Sequence, residues 1–137
     1  MIWNRNFITF ERENIFIMNF TEEQKEMAWK AARVVEGFDP SKYRKDACGA
    51  WIAWEKYGAI DNLYGWVIDH IYPKSRGGDE SPLNLRAFHV KNNLSKKDDY
   101  PSYYSEVTSE GNRNKLERQV YTVNHDKQEQ LRKLYNL

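Results

Sequence analysis

At 137 residues, with a formal charge of +1 and a mean hydropathy of −0.89, the chain has room for one domain with a core of its own and is too polar to be built around membrane spans. No apolar run approaches the roughly 20 residues that cross a bilayer, and residues 1–7, broken by polar side chains and followed by Glu11-Arg12-Glu13, lack the unbroken apolar stretch of a secretory signal, so a cytoplasmic protein with no membrane association is expected. A single cysteine, Cys48, excludes a disulfide within the chain and has no recognisable base partner for a nucleophilic role.

Residues 1–17 show no periodic pattern. They are either an extension upstream of a natural start at Met18 or an added strand containing Phe7, Ile8 and Phe10. Thr21 and Gln24 have the spacing of a capping box, which predicts a helix over residues 22–36. Met27, Ala28, Ala31, Val34 and Val35 fall mostly on one side of that helix, and Gly37 is its stop. Residues 18–42 therefore read as an N-terminal helix and linker, broken by Asp39-Pro40-Ser41. Residues 43–54 read as a turn leading into a short strand or irregular segment, and Gly58 and Gly65 punctuate the approach to Trp66. A strand is expected at residues 66–69 and a helix at 85–96. The long loop between them contains Pro73, Gly77, Gly78 and Pro82, which rule out helix there, and loops of this length are often functional. Further on, residues 105–114 read as a loop, and residues 119–123 are rich in β-formers. Residues 126–135 read as a helix with Leu131 and Leu134 on one face. There is no internal repeat.

Chemistry concentrates between Gly65 and Lys96. Trp66-Val67-Ile68 runs into Asp69-His70-Ile71-Tyr72-Pro73, then comes the loop Lys74-Ser75-Arg76-Gly77-Gly78-Asp79-Glu80, then Asn84 and finally Asn93-Leu94-Ser95-Lys96. His70, with an ordinary pKa of about 6.5, suits general-base work at neutral pH. Asp69 is its neighbour in a strand, and strand neighbours point to opposite faces, which argues against a His-Asp couple and for a division of labour. Lys74, Arg76, Arg86, Lys91, Lys96 and Lys97 outnumber Asp79 and Glu80 in this region, a local basic face compatible with phosphate contacts.

The DHIxPxSxGG string at residues 69–78, with Asn84 and Asn93 at their spacing, resembles the HNH endonucleases, the ββα-metal group of nucleic-acid hydrolases, in a zinc-less DH…N…N form. The resemblance covers about 55 residues, from near Tyr43 to near Lys97. It implies an α+β fold: a ββα-metal core, a β-hairpin plus helix around one divalent ion, at residues 43–100, the N-terminal helix before it, and residues 101–137 as a C-terminal extension of strand and helix packing on it. Carried over by position, it makes Asp69 and Asn93 the metal ligands, His70 the general base and Asn84 the brace of the His-bearing loop. Asn84 also reads as the N-cap of the helix expected from Leu85. One carboxylate and one amide oxygen are hard ligands that suit Mg²⁺, with Mn²⁺ as substitute.

Many relatives bind a structural zinc through two Cys-x-x-Cys pairs. Here Lys45 and Cys48 stand at the first pair and His89 and Asn92 at the second, so no structural zinc is expected and aromatic packing around Trp51, Trp54, Trp66 and Phe88 takes over. His89 has two readings, a third ligand to the ion or a buried histidine bonded to a backbone carbonyl near Cys48. Lys96, one turn after Asn93, is either a phosphate contact or solvent-exposed, and Arg76 and Lys74 are weaker candidates for backbone contacts.

The resemblance implies a nuclease acting on nucleic acid, DNA favoured over RNA, with one site nicking one strand and with low sequence specificity. It leaves the oligomeric state open. Alternatives are a non-cleaving nucleic-acid-binding module of the same shape and an antibacterial effector nuclease with an inhibitor partner. Small size is also compatible with a phage or mobile-element enzyme working beside other proteins.

Overall fold

The structure is a computed structural model, and it describes residues 20–137. The expectations for residues 1–17 lie outside that range. The architecture is α+β, with three α-helices and three separate two-stranded antiparallel sheets among the described residues. No helix among them is long and apolar enough to cross a membrane.

Helix α1 (Glu22–Lys30) starts with the capping box its sequence encodes: Gln24 N–H donates to Thr21 Oγ1 at 3.0 Å and Thr21 N–H donates to Gln24 Oε1 at 2.9 Å. It ends well short of Glu36. Arg33 leaves the helix to pair with Lys45, exchanging two backbone hydrogen bonds of 2.8 and 2.9 Å, so tertiary pairing ends a helix whose periodicity runs on. Strands β1 (Tyr43–Lys45) and β2 (Trp51–Ala53) then form a short hairpin.

Strands β3 (Trp66–His70) and β4 (Leu85–His89) form the central hairpin, with Asp69 opposite Arg86 and His70 opposite Leu85. Residues 85–89 are thus strand, and the expected helix over 85–96 is reduced to α2 (Val90–Lys96). The reason is burial on both faces. Trp66, Ile68, Leu85 and Ala87 pack against Ala28 and Trp29 of α1, with Trp66 lying 5.1 Å from Trp29 and 5.8 Å from Trp54 between ring centroids. Phe88, on the other face, joins Ile71, Tyr72, Cys48 and Tyr103 in a second core. All ten hairpin residues are buried, so the hydrophobic alternation that marks a half-exposed strand is missing from the sequence.

Residues 105–114, expected as a loop, lie in a long hairpin of β5 (Ser102–Glu110) and β6 (Arg113–Thr122), turning at Gly111 with φ of +60°. Its strands carry many exposed polar residues, which conceals them as strands. Helix α3 (His125–Tyr135) closes the chain and is capped by Asn124, which accepts from Lys127 N–H at 2.8 Å.

Two buried polar side chains join these pieces. The carboxylate of Asp46, in the β1–β2 turn, accepts from the N–H groups of Cys48 (2.9 Å), Ala50 (2.9 Å) and His89 (3.0 Å) and from Asn92 Nδ2 (3.0 Å). Asn92, on α2, also donates to the Val107 carbonyl at 2.9 Å, and its Oδ1 accepts from the N–H groups of Glu106 and Val107 at 2.8 and 2.9 Å. The β1–β2 turn, α2 and β5 are therefore tied together by Asp46 and Asn92.

Candidate active site

Strand alternation separates Asp69 and His70 as their adjacency predicts. His70 faces the α1 side, its ring 5.6 Å from that of Phe20 between centroids, and Asp69 faces α2. His70 is only 6% exposed, and its Nε2 lies 3.2 Å from Glu80 Oε1. A carboxylate only accepts hydrogen bonds, so this ring nitrogen carries a proton. Glu80 also meets Lys74 Nζ at 3.4 Å. Burial pushes the Glu80 carboxyl up, but the hydrogen bonds from His70 and Lys74 outweigh it and hold the group below its ordinary range.

Asn84 is fully buried at the end of the turn Pro82–Asn84. It does not cap a helix, because β4 comes directly after it. Its Oδ1 accepts from Tyr72 N–H at 2.7 Å, and its Nδ2 donates to the carbonyls of Tyr72 (3.0 Å) and Asp79 (3.1 Å). One side chain thereby closes the loop that leaves His70. Gly78 sits in the same crossing, and a methyl group there would overlap the Tyr72 carbonyl and press on the Asn84 amide. Gly78→Ala is expected to cost about 2–3 kcal/mol, at the upper end of overpacking penalties, which urea unfolding would measure as a lower midpoint at unchanged slope.

Asp69 is buried in an ion-paired cluster. Its Oδ2 accepts from Arg86 Nε at 2.9 Å, and its Oδ1 lies 3.5 Å from Lys96 Nζ. Lys96 also donates to the His70 carbonyl at 3.2 Å and is fully buried, so it points inward and neither meets solvent nor presents itself to a phosphate at the surface. The lysine reaches back over the turn of α2 that carries Asn93, as helical side chains lean toward the N-terminus. Burial lowers the Lys96 pKa, with Asp69 opposing. Burial likewise works against the Arg86 charge, and Asp69 more than offsets it, leaving that pKa above its ordinary value. Two of the six cations counted as a basic face, Arg86 and Lys96, are thus interior groups, paired because an isolated buried charge is costly.

Asn93 is half-buried on α2 and its side-chain amide makes no hydrogen bond among the described residues. Both ring nitrogens of His89 are engaged: its Nε2 lies 2.8 Å from the Leu63 carbonyl and its Nδ1 accepts from Lys91 N–H at 3.1 Å. The carbonyl-bonded reading holds, with Leu63 rather than a residue near Cys48 as the acceptor. Lys74 and Arg76 are exposed, Arg76 resting on the Tyr72 ring and donating to the Tyr100 carbonyl at 3.3 Å. Cys48 is buried and its thiol is pushed up to about 12, first by that burial, which leaves it inert as a nucleophile.

Glu80 and Tyr135, which contact His70 and the loop after it, are given no role by the sequence, and Arg86, the partner of Asp69, is read there only as part of a basic face. Tyr135 donates to Asp79 Oδ1 at 2.6 Å and accepts from Asp79 N–H at 3.1 Å, pinning the loop from α3. Glu80 could have been suspected as an acid in a basic loop, and Arg86 follows from the register once β4 is known. Nothing in the sequence signals Tyr135.

Among the described residues no three His, Cys, Asp or Glu side chains gather as a metal cluster. The donors that do fit a hard divalent ion are Asp69 Oδ1, whose contact to Lys96 is long, and the Asn93 amide oxygen. Arg86 holds the other Asp69 oxygen, as outer partners of ligating carboxylates do.

Residues 59–102 match the family model described as HNH endonuclease. Comparison with curated proteins gave no match, and comparison with solved structures gave none. That family brings nuclease chemistry, a nucleic acid as substrate and, in general, use of a divalent metal. Residues 59–102, which carry Asp69, His70, Asn84 and Asn93, are thus the part of the chain that is similar to the HNH endonuclease family.

Proposed function

We propose that the protein is a metal-dependent endonuclease that hydrolyses phosphodiester bonds in DNA, with β3, β4 and α2 as its ββα-metal core. Residues 43–100 are then the nuclease unit, with the N-terminal helix and linker before it and residues 101–137 as a C-terminal extension packing on it. One observation carries the reading: Asp69 and His70 leave the end of β3 on opposite faces, while the next turn is tied by Asn84 and Asn93 lies on the helix that Asp69 faces.

In this reading Asp69 and Asn93 hold one divalent ion, Mg²⁺ or Mn²⁺, which when bound supplies positive charge to the developing phosphorane oxygens and the leaving sugar oxygen. The protein's own residues do the rest. His70 takes the proton of the attacking water, accepting it at Nδ1 in the neutral ring whose Nε2–H donates a hydrogen bond to Glu80. Glu80 and Phe20 set the ring's orientation, and Asn84 fixes the backbone beyond it. One site cuts one strand, and a double-strand break requires two events or two copies.

One observation favours a non-cleaving binding module: both oxygens of Asp69 already face cations. Supercoiled-plasmid relaxation decides between them. Purified protein with Mg²⁺ or Mn²⁺ is expected to convert the plasmid to open circles, and EDTA to stop the conversion completely. DNA retention without nicking under every ion would sink the nuclease reading.

A further inference from the structure

A cavity of about 360 Å³ opens beside the hairpin, lined among others by Arg33, Arg86, Tyr103, Tyr121, Asn124 and Lys127. No carboxylate lines it among the described residues. Its cations come from three parts of the chain: the segment after α1, strand β4, and the first turn of α3 outside the family-matched residues. Two facts show what this cavity lacks. Arg86 Nη2 is buried without a hydrogen-bond partner, its guanidinium lying over the Phe88 and Tyr103 rings, whereas buried donors in native proteins nearly always have a partner, with ordered water or a bound ion among the explanations for an exception. Asp69, moreover, is one carboxylate shared by Arg86 and Lys96, so this part of the interior holds one more positive than negative charge. Lys127 adds to the excess: it donates to the Leu83 carbonyl at 3.0 Å and has no carboxylate partner among the described residues. Burial first, and then Arg86, lower its pKa.

We propose that this cavity is a phosphate subsite that takes one backbone phosphate of a bound nucleic-acid strand. Guanidinium forks and ammonium groups together suit an oxyanion with several acceptor oxygens. At about 30 Å³ per water molecule in the liquid, the cavity has room for a phosphate group. Its wall includes Ile71 and Pro82, which flank the loop between His70 and Asn84, so a strand seated here runs past the reacting loop. The strand assignment rests on nucleic acid being the substrate. The phosphate site itself does not.

The test uses the full chain, ¹⁵N-labelled and titrated at constant ionic strength with inorganic phosphate or with acetate, beside Lys127→Met and Arg33→Ala. Phosphate, and not acetate, is expected to shift the amide signals of Thr122, Val123 and Asn124 and the Arg86 Nε signal saturably. The dissociation constant should rise at least fivefold in Lys127→Met. Arg33→Ala, an exposed change that leaves the core intact, should weaken binding in the same direction and covers the case of Lys127→Met failing to fold. A second arm uses a fluorescent single-stranded 12-mer: Lys127→Met is expected to lower its affinity about threefold and reduce the salt slope by about one contact. Absence of saturable shifts, or equal phosphate binding in wild type and both variants, overturns the subsite. Phosphate binding with unchanged 12-mer affinity assigns the cavity to free phosphate and overturns the strand assignment. Plasmid nicking is scored separately, so a protein that binds phosphate without cutting loses only the nuclease reading.

Discussion

His70→Ala is expected to reduce plasmid nicking by about 10²–10⁴-fold, the usual contribution of a positioned general base, while leaving the far-ultraviolet circular dichroism unchanged. The backbone role of residue 70 survives the change, because Lys96 bonds its carbonyl and not its ring. Asp69 keeps its partners Arg86 and Lys96 for the same reason, since it occupies the opposite face of β3. Besides proton transfer, the substitution removes the hydrogen bond to Glu80 and the contact with Phe20. Equal nicking by wild type and variant at matched folding would remove His70 from the chemistry and shift attention to Glu80.

The largest expected loss of stability comes from Asp46→Ala. Four donors, from Cys48, Ala50, His89 and Asn92, converge on that fully buried carboxylate. Alanine strands them in the interior, where an unsatisfied donor costs about 1–3 kcal/mol. Some relax onto water, and a net loss of about 4 kcal/mol is expected, against a total of about 5–15 kcal/mol for a typical domain. Asp46→Asn keeps one oxygen and turns an amide toward the remaining donors, so it should fall between wild type and alanine. Urea unfolding of the three proteins checks the order. A loss of under about 1 kcal/mol in Asp46→Ala would show that the surrounding turns reorganise without the carboxylate.

The reach of the sequence depends on what kind of interaction fixes each element. Local chemistry was legible: the Thr21–Gln24 capping box, the separation of Asp69 from His70 and the aromatic packing of Trp54 on Trp66 all appear as read. The α+β class holds too. The misread elements were set by distant partners. Lys45 ends α1 early, and α1 on one side with Phe88 and Tyr103 packing on the other bury β4 so evenly that it loses its strand pattern. In the site the quartet of residues could be located, but the surroundings that decide charge could not. Lys96 reads as a phosphate contact or a solvent-exposed residue until β3 is placed behind it, and Arg86 acquires meaning only from its register opposite Asp69.

Helix α2 has seven residues, and isolated helices shorter than about 12–15 residues are marginal in water. Asn92 spends all four hydrogen-bonding capacities of its side chain on Asp46 and β5, so this helix is fastened to the β1–β2 turn and to the C-terminal hairpin at once. Such a helix cannot fray alone. Unwinding it requires breaking the attachment to the hairpin as well, which places Asn93 in a large cooperative unit and away from the weakly protected margins where binding loops usually lie. Damage to the remote hairpin is then transmitted to the reacting centre as loss of order, and the matched motif depends for its rigidity on residues well outside it.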